Sequence, residues 1–100
     1  MITFGLYLIR VMKYLHIKIK GRVQGVDFKA STKAVADQLK IRGTIHNEKD
    51  GTISVEAEGD DQMMEQFLEW CQEGPEYAIV ESIEVDEAEK KAYKNFEVIR

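Results

Sequence analysis

The chain has 100 residues, 44% hydrophobic and 32% charged, with a net charge of -4. That length and balance suit one compact domain with one core. They argue against a general nucleic-acid binder, which carries excess positive charge or a basic face. A single cysteine, Cys71, excludes an intrachain disulfide and a cysteine-rich zinc site.

In chain order, residues 2–9 (Ile-Thr-Phe-Gly-Leu-Tyr-Leu-Ile) are apolar, but Arg10 ends the run well short of a membrane span. No positive charge precedes the run and no small-residue cleavage site follows it, so it does not read as a secretory signal. Residues 1–12 are read as an extension, either an extra edge strand or a start set ahead of the true one at Met12. Residues 13–100 are read as the domain. With the lone cysteine, this predicts no membrane association and a reducing, cytoplasmic location.

Tyr14 to Lys20 alternates, with Leu15, Ile17 and Ile19 on one face and His16, Lys18 and Lys20 on the other, the pattern of a half-buried strand. Gly21, Arg22, Val23, Gln24, Gly25, Val26 and Asp27 then lead into Phe28 and Lys29. A glycine-framed turn between a strand and a helix can aim several N–H groups at one point, beside the positive helix end. Such a turn suits an anion, phosphate above all. The nucleotide P-loop spacing is absent, and a plain strand-to-helix connection is the alternative.

Phe28, Thr32, Val35, Ala36 and Leu39 recur at helical spacing, which predicts a helix from about Phe28 to Ile41, ended by Gly43. Thr44 to Glu48 reads as a strand, Lys49-Asp50-Gly51 as a hairpin turn, and Thr52 to Glu58 as the returning strand with Ile53, Val55 and Ala57 inward. Gly59-Asp60-Asp61 opens a second helix on an aspartate cap. Met63, Met64, Phe67, Leu68 and Cys71 form its buried stripe, and it stops near Gln72 ahead of Gly74-Pro75. Glu81 to Asp86 is the next strand, with Ile83 and Val85 inward. A charged, solvated turn over 86–94 precedes a last strand, Phe96 to Ile99. The order β-α-β-β-α-β plus a short final strand is that of a split-βαβ, ferredoxin-like α+β sandwich. Its sheet is mostly antiparallel, with both helices on one face.

This fold hosts many functions. An RNA-binding version wants aromatics on its third strand, whereas residues 52–58 carry two acids and no aromatic. A metal-transport version wants paired cysteines in its first loop, and none is there. Gly21-Arg22-Val23-Gln24-Gly25-Val26-x-Phe28, by contrast, closely resembles the first signature of the acylphosphatases. Gly43-Thr44-Ile45-His46-Asn47, followed by Gly51 and Gly59, resembles the second. Phe67-Leu68-x-Trp70-Cys71 and Gly74-Pro75 extend the likeness, which spans roughly Lys13 to Arg100. The resemblance implies hydrolysis of acyl phosphates to a carboxylate and inorganic phosphate, with no metal, cofactor or covalent phosphoenzyme. It implies that the loop N–H groups and an arginine hold the phosphoryl group, while Asn47 orients the attacking water. Partners are then a small acyl phosphate, with inorganic phosphate or sulfate as product-like ligands, and a monomer is expected.

One letter departs. The family's arginine directly follows the signature phenylalanine, and that position here is Lys29. An ammonium supplies charge but not the planar fork that grips two oxygens. Losing one charge-assisted bond costs about 1.5–3 kcal/mol, or one to two decades in rate. The expectation is therefore a weakened acylphosphatase-like hydrolase, and the alternative is a non-catalytic anion-binding module. His16 and His46 are expected at the surface or in packing, with His46 facing away from Asn47. Asp60 and Asp61 are expected to cap.

Overall fold

The strict alternation of the first strand decides how the rest packs. The computed structural model describes residues 11–100; of the extension read as residues 1–12, residues 1–10 lie outside them, and with them the extra edge strand, while Met12 opens the first strand. β1 (Met12–Arg22) buries Leu15, Ile17 and Ile19 on one face and leaves His16, Lys18 and Lys20 half-exposed on the other. It is followed by α1 (Phe28–Gln38), β2 (Arg42–Asn47), β3 (Ile53–Asp60), α2 (Asp61–Glu73), β4 (Ile79–Glu87) and β5 (Phe96–Val98). The sheet order is β4-β1-β3-β2-β5. All neighbours are antiparallel except β2 and β5, which run parallel. Both helices cover the face carrying Ile17, Ile19, Ile45, Ile53 and Val55, each fully buried. Phe67 and Phe96 meet edge-on at 6.1 Å beneath them. This is the expected ferredoxin-like sandwich, with a fifth strand added at one edge. Among the described residues no helix is long and apolar enough to cross a membrane.

The second helix starts as its sequence predicts, with Asp60 Oδ1 accepting from the Met63 N–H at 2.9 Å. Its stripe buries Met64, Phe67 and Cys71, with Met63 and Leu68 packed at the margin. Burial pushes the Cys71 thiol up to about 12, so it is an inert core residue.

The first helix ends differently from the prediction. It stops at Gln38, and Lys40 rather than Gly43 takes the left-handed turn, with φ 59°. Ile41 N–H donates to the Ala36 carbonyl at 2.8 Å and Lys40 N–H to Asp37 at 3.3 Å, the paired bonds of a Schellman end. Burying Ile41 beside Ala36 offsets the cost of a left-handed lysine. Gly43 sits inside β2 instead, at φ 149°, where a β-carbon would overlap the Glu56 carbonyl.

Two further expectations are corrected at the β4 edge. Ile83 packs against the core, but Val85 is 40% exposed. Among the described residues β4 has a single strand neighbour, and Val85 only rims a groove with Leu15, Met64 and Leu68. Nor is the 86–94 segment merely solvated. β4 continues to Glu87, and the Glu58 carboxylate, 2% exposed, accepts the backbone N–H groups of Lys91, Ala92 and Tyr93 at 2.6, 3.2 and 3.0 Å. Lys91 Nζ also reaches Glu56 at 2.9 Å. A carboxylate buried against three N–H donors is satisfied, and it fixes the segment that delivers β5.

Replacing Glu58 by Ala is expected to cost about 2–4 kcal/mol, since three donors lose a charged acceptor. Urea unfolding checks it, and Glu58→Gln should recover only part of the loss.

Candidate active site

The loop between β1 and α1 is pinned at both ends by burial. Val23 is 1% exposed and Phe28 2% exposed. The Phe28 ring also meets Trp70 of α2 edge-on at 5.6 Å. Between these anchors Gly25 and Asp27 take positive φ, 78° and 61°. A β-carbon at Gly25 would meet nothing within 4 Å, so glycine is needed there for its backbone angle rather than for space. Asp27 starts the helix without a side-chain cap, and the first helical bond runs from the Ser31 N–H to the Asp27 carbonyl at 3.1 Å.

The amides of Gln24 through Ala30 therefore donate to no acceptor among the described residues. They gather at the positive end of α1, the arrangement that holds an anion. Lys29, half-exposed in the first turn, forms no ion pair or hydrogen bond among the described residues. A first-turn cation without a carboxylate partner is unfavourable against the helix dipole unless an anion joins it.

Gln24 ties this loop to the second signature. Its Nε2 donates to the carbonyls of Glu48 at 2.8 Å and Thr52 at 2.9 Å, the two sides of the β2–β3 hairpin neck. The neck closes on itself through Glu48 N–H to Thr52 carbonyl at 2.8 Å. Asp50 braces the turn, its Oδ1 accepting from the Thr52 hydroxyl at 2.6 Å and the Thr52 N–H at 3.0 Å. These bonds, with the nearby Lys18 ammonium, hold the Asp50 carboxyl below its usual 3.8.

Asn47 is the last residue of β2, directly before the Glu48 carbonyl that Gln24 grips. Its side chain is exposed and engages no partner among the described residues. It shares a strand face with buried Ile45, whereas His46 lies on the opposite face and meets Glu48 Oε2 at 3.2 Å. The structure thus brings the loop and Asn47 to one end of the sheet. Arg22 closes β1 opposite Ile79, exposed, and engages no partner among the described residues.

His16 has neighbours that its sequence context does not announce. Its Nε2 shares a hydrogen bond with Ser54 Oγ at 2.7 Å and lies 4.0 Å from Glu56 Oε2. Serine and carboxylate approach the same nitrogen, so the ring cannot relay a proton between them as a nucleophilic triad does. Among the described residues no group of three or more His, Cys, Asp or Glu side chains could hold a metal ion. A cleft of about 780 Å³ lined by Met12, Leu39, Arg42 and Met63 lies at the far end of β1, away from the loop. An open anion cradle for a small substrate need not coincide with such a cleft.

The sequence profile of the family described as acylphosphatase matches residues 15–98. An acylphosphatase of Thermotoga petrophila is 37% identical over 87 residues, covering 87% of this chain and 97% of the relative. A solved acylphosphatase structure from Coxiella burnetii superposes with a TM-score of 0.84 at 30% identity, over 88% of this chain and 93% of the other. One from Bacillus subtilis gives 0.85 at 28% identity, over 90% and 100%. The chain belongs to the acylphosphatase family.

Gln24→Ala should lower stability by about 1–3 kcal/mol, since two neck carbonyls lose their donor. Gln24→Glu should be no better, because it sets an acceptor against acceptors. Denaturant midpoints decide the point; an unchanged Gln24→Ala midpoint would show that the loop needs no lock. Asp50 adds a pH dependence. Its folded value lies below the unfolded one, so the bracing is fully present above the ordinary carboxylate range and is lost as pH falls through the lowered value. Thr52 amide shifts across an acid titration should follow that loss, and Asp50→Asn should abolish the response.

Proposed function

We propose that this acylphosphatase-family hydrolase cleaves acyl phosphates to a carboxylate and inorganic phosphate, with the 21–27 loop, Lys29 and Asn47 as its working parts. The observation that supports the reading is the Gln24 lock, which ties the loop of uncommitted amides to the hairpin neck directly after Asn47. Residues 13–100 carry the activity in this reading, with Met12 opening β1 ahead of them, and the residues before Met12 are an extension outside it. The protein acts as a monomer in the cytoplasm, on a small-molecule substrate. Inorganic phosphate and sulfate occupy the same cradle as product-like ligands.

The chemistry asks little of the protein beyond position and charge. A carboxylate is a good leaving group, so the P–O bond to the acyl oxygen breaks easily once the phosphoryl oxygens are held. The loop amides and the Lys29 ammonium take up the charge on those oxygens. The Asn47 carboxamide accepts a hydrogen bond from a water and aims its lone pair at phosphorus, in line with the departing carboxylate. The new P–O bond forms as the old one breaks, the electron pair leaves with the carboxylate, and the water's protons pass to phosphate and solvent.

An aromatic acyl phosphate tests this directly. Native protein should turn it over above background. Asn47→Ala should lower kcat by about a hundredfold, as misplaced reactants do. Lys29→Ala should lower kcat/KM by at least tenfold, while Lys29→Arg should retain or raise it by up to one to two decades. No turnover in either the native protein or Lys29→Arg defeats the hydrolase reading and leaves the anion-binding module, for which Lys29 in the arginine's place is the motive.

A further inference from the structure

The cradle has a point charge where phosphate recognition favours a fork. Lys29 donates from one atom, and the helix offers no guanidinium in its first turn. The last strand, however, runs toward the cradle. β5 lies parallel to β2, with Gly43 opposite Phe96, Thr44 opposite Glu97 and Ile45 opposite Val98. The ladder continues past the strand, since Ile99 N–H donates to the Ile45 carbonyl at 2.9 Å. That register carries Arg100 to the level of Asn47.

Direction follows from alternation. Phe96 is buried against the helices, Val98 packs on the same core, and Ile99 between Val98 and Arg100 is 41% exposed. Arg100 therefore continues the helix-facing row that holds Phe96 and Val98. Height along the edge agrees. Lys33 Nζ of α1 donates to the Phe96 carbonyl at 2.8 Å, which fixes the helix against the strand. α1 runs opposite to β5, so its first turn and the end of β5 advance toward the same pole. From Lys33 back to Lys29 is about 6 Å of helix. From Phe96 on to Arg100 is about 13 Å of extended chain. The arginine thus overshoots the first helical turn by several ångströms, the level at which an anion capping that turn sits. It is exposed and engages no partner among the described residues.

We propose that Arg100 is a second phosphate-binding cation of this site, supplying from β5 the bidentate grip that the first turn of α1 lacks. The inference rests on the proposed function for its ligand class, a phosphoryl group or inorganic phosphate. Its placement rests on the β2–β5 register. Arg100 and Lys29 then grip the anion from the strand side and the helix side of the amide cradle. A consequence separates this from a bystander role: the two cations partly substitute for each other, so their effects are not additive.

The test measures the dissociation constant of inorganic phosphate by calorimetry together with turnover of an aromatic acyl phosphate. The proteins are native, Arg100→Ala, Arg100→Lys, Lys29→Arg, and Arg100→Ala combined with Lys29→Arg. Lys90→Ala, on the segment leading into the Glu58 clamp, is the charge control. Arg100→Ala should weaken phosphate about tenfold or more, with Arg100→Lys between it and native. Lys29→Arg should help several-fold more in the Arg100→Ala background than in the native one. Should turnover persist while Arg100→Ala leaves phosphate affinity within twofold of native, or no more altered than Lys90→Ala, the inference fails and the hydrolase reading stands. Absence of both phosphate binding and turnover in native protein overturns the two together. Phosphate binding without turnover, lost in Arg100→Ala, keeps the inference and overturns only the hydrolysis.

Discussion

Two hydrogen bonds from one carboxamide hold the site together. Gln24 spends both N–H groups of its side chain on the carbonyls of Glu48 and Thr52, and so joins two loops that lie 24 and 28 residues apart in sequence. Without that bridge the amides at the start of α1 and the carboxamide of Asn47 would sit on separately moving turns. The lock also explains why the backbone of the loop stays uncommitted. Burial of Val23 and Phe28 and the Gln24 bonds fix its shape, and none of them consumes an amide of Gln24 through Ala30. Rigidity without internal amide bonding is what an oxyanion cradle requires, because donors already paired would have to be released before binding.

The opposite side of the sheet meets a similar need by another route. Glu58 is buried on β3 and takes three backbone N–H groups from residues 91–93, an arrangement that turns an acidic strand residue into a clamp. The clamp sets where the chain re-enters as β5, and the Gly43 N–H to Asn95 carbonyl bond of 3.0 Å starts that strand in register with β2. Gly43 permits the close approach of β2 to β3, since any side chain there would strike the Glu56 carbonyl. The strands flanking Asn47 are thus positioned by contacts remote from Asn47 itself.

Much of this was legible in the sequence, and the pattern of success is physical. Features set by neighbours along the chain read correctly: the alternation of β1, the Asp60 cap, the Asp50-Gly51 turn and the Met64-Phe67-Cys71 stripe. The acylphosphatase likeness read correctly too, since two signatures at their proper separation carry both the fold and the family. Features set by partners far away in sequence did not. Nothing near Gln24 says that its side chain will be spent on a hairpin, and nothing near Glu58 says that it will be buried under a charged segment. Gly43 looked like a helix end because glycine favours that place, yet burial of Ile41 let Lys40 take the left-handed turn and left the glycine to the strand. Val85 reads as inward by alternation, but among the described residues α2 leaves that end of β4 partly uncovered. The roles proposed for Lys29 and Asn47 rest on the signatures, because without them Lys29 also reads as a solvated first-turn lysine and Asn47 reads better as a strand-end asparagine.

The proposed hydrolysis depends on preformed amides that capture a tetrahedral oxyanion, and a phosphate titration followed by amide NMR shifts addresses that capture most directly. Saturable shifts are expected, concentrated at Gly25 through Ala30, with the Asn47 side-chain amide responding at the same midpoint. Shifts spread evenly over the exposed lysines, or a silent loop beside an unresponsive Asn47, would contradict it.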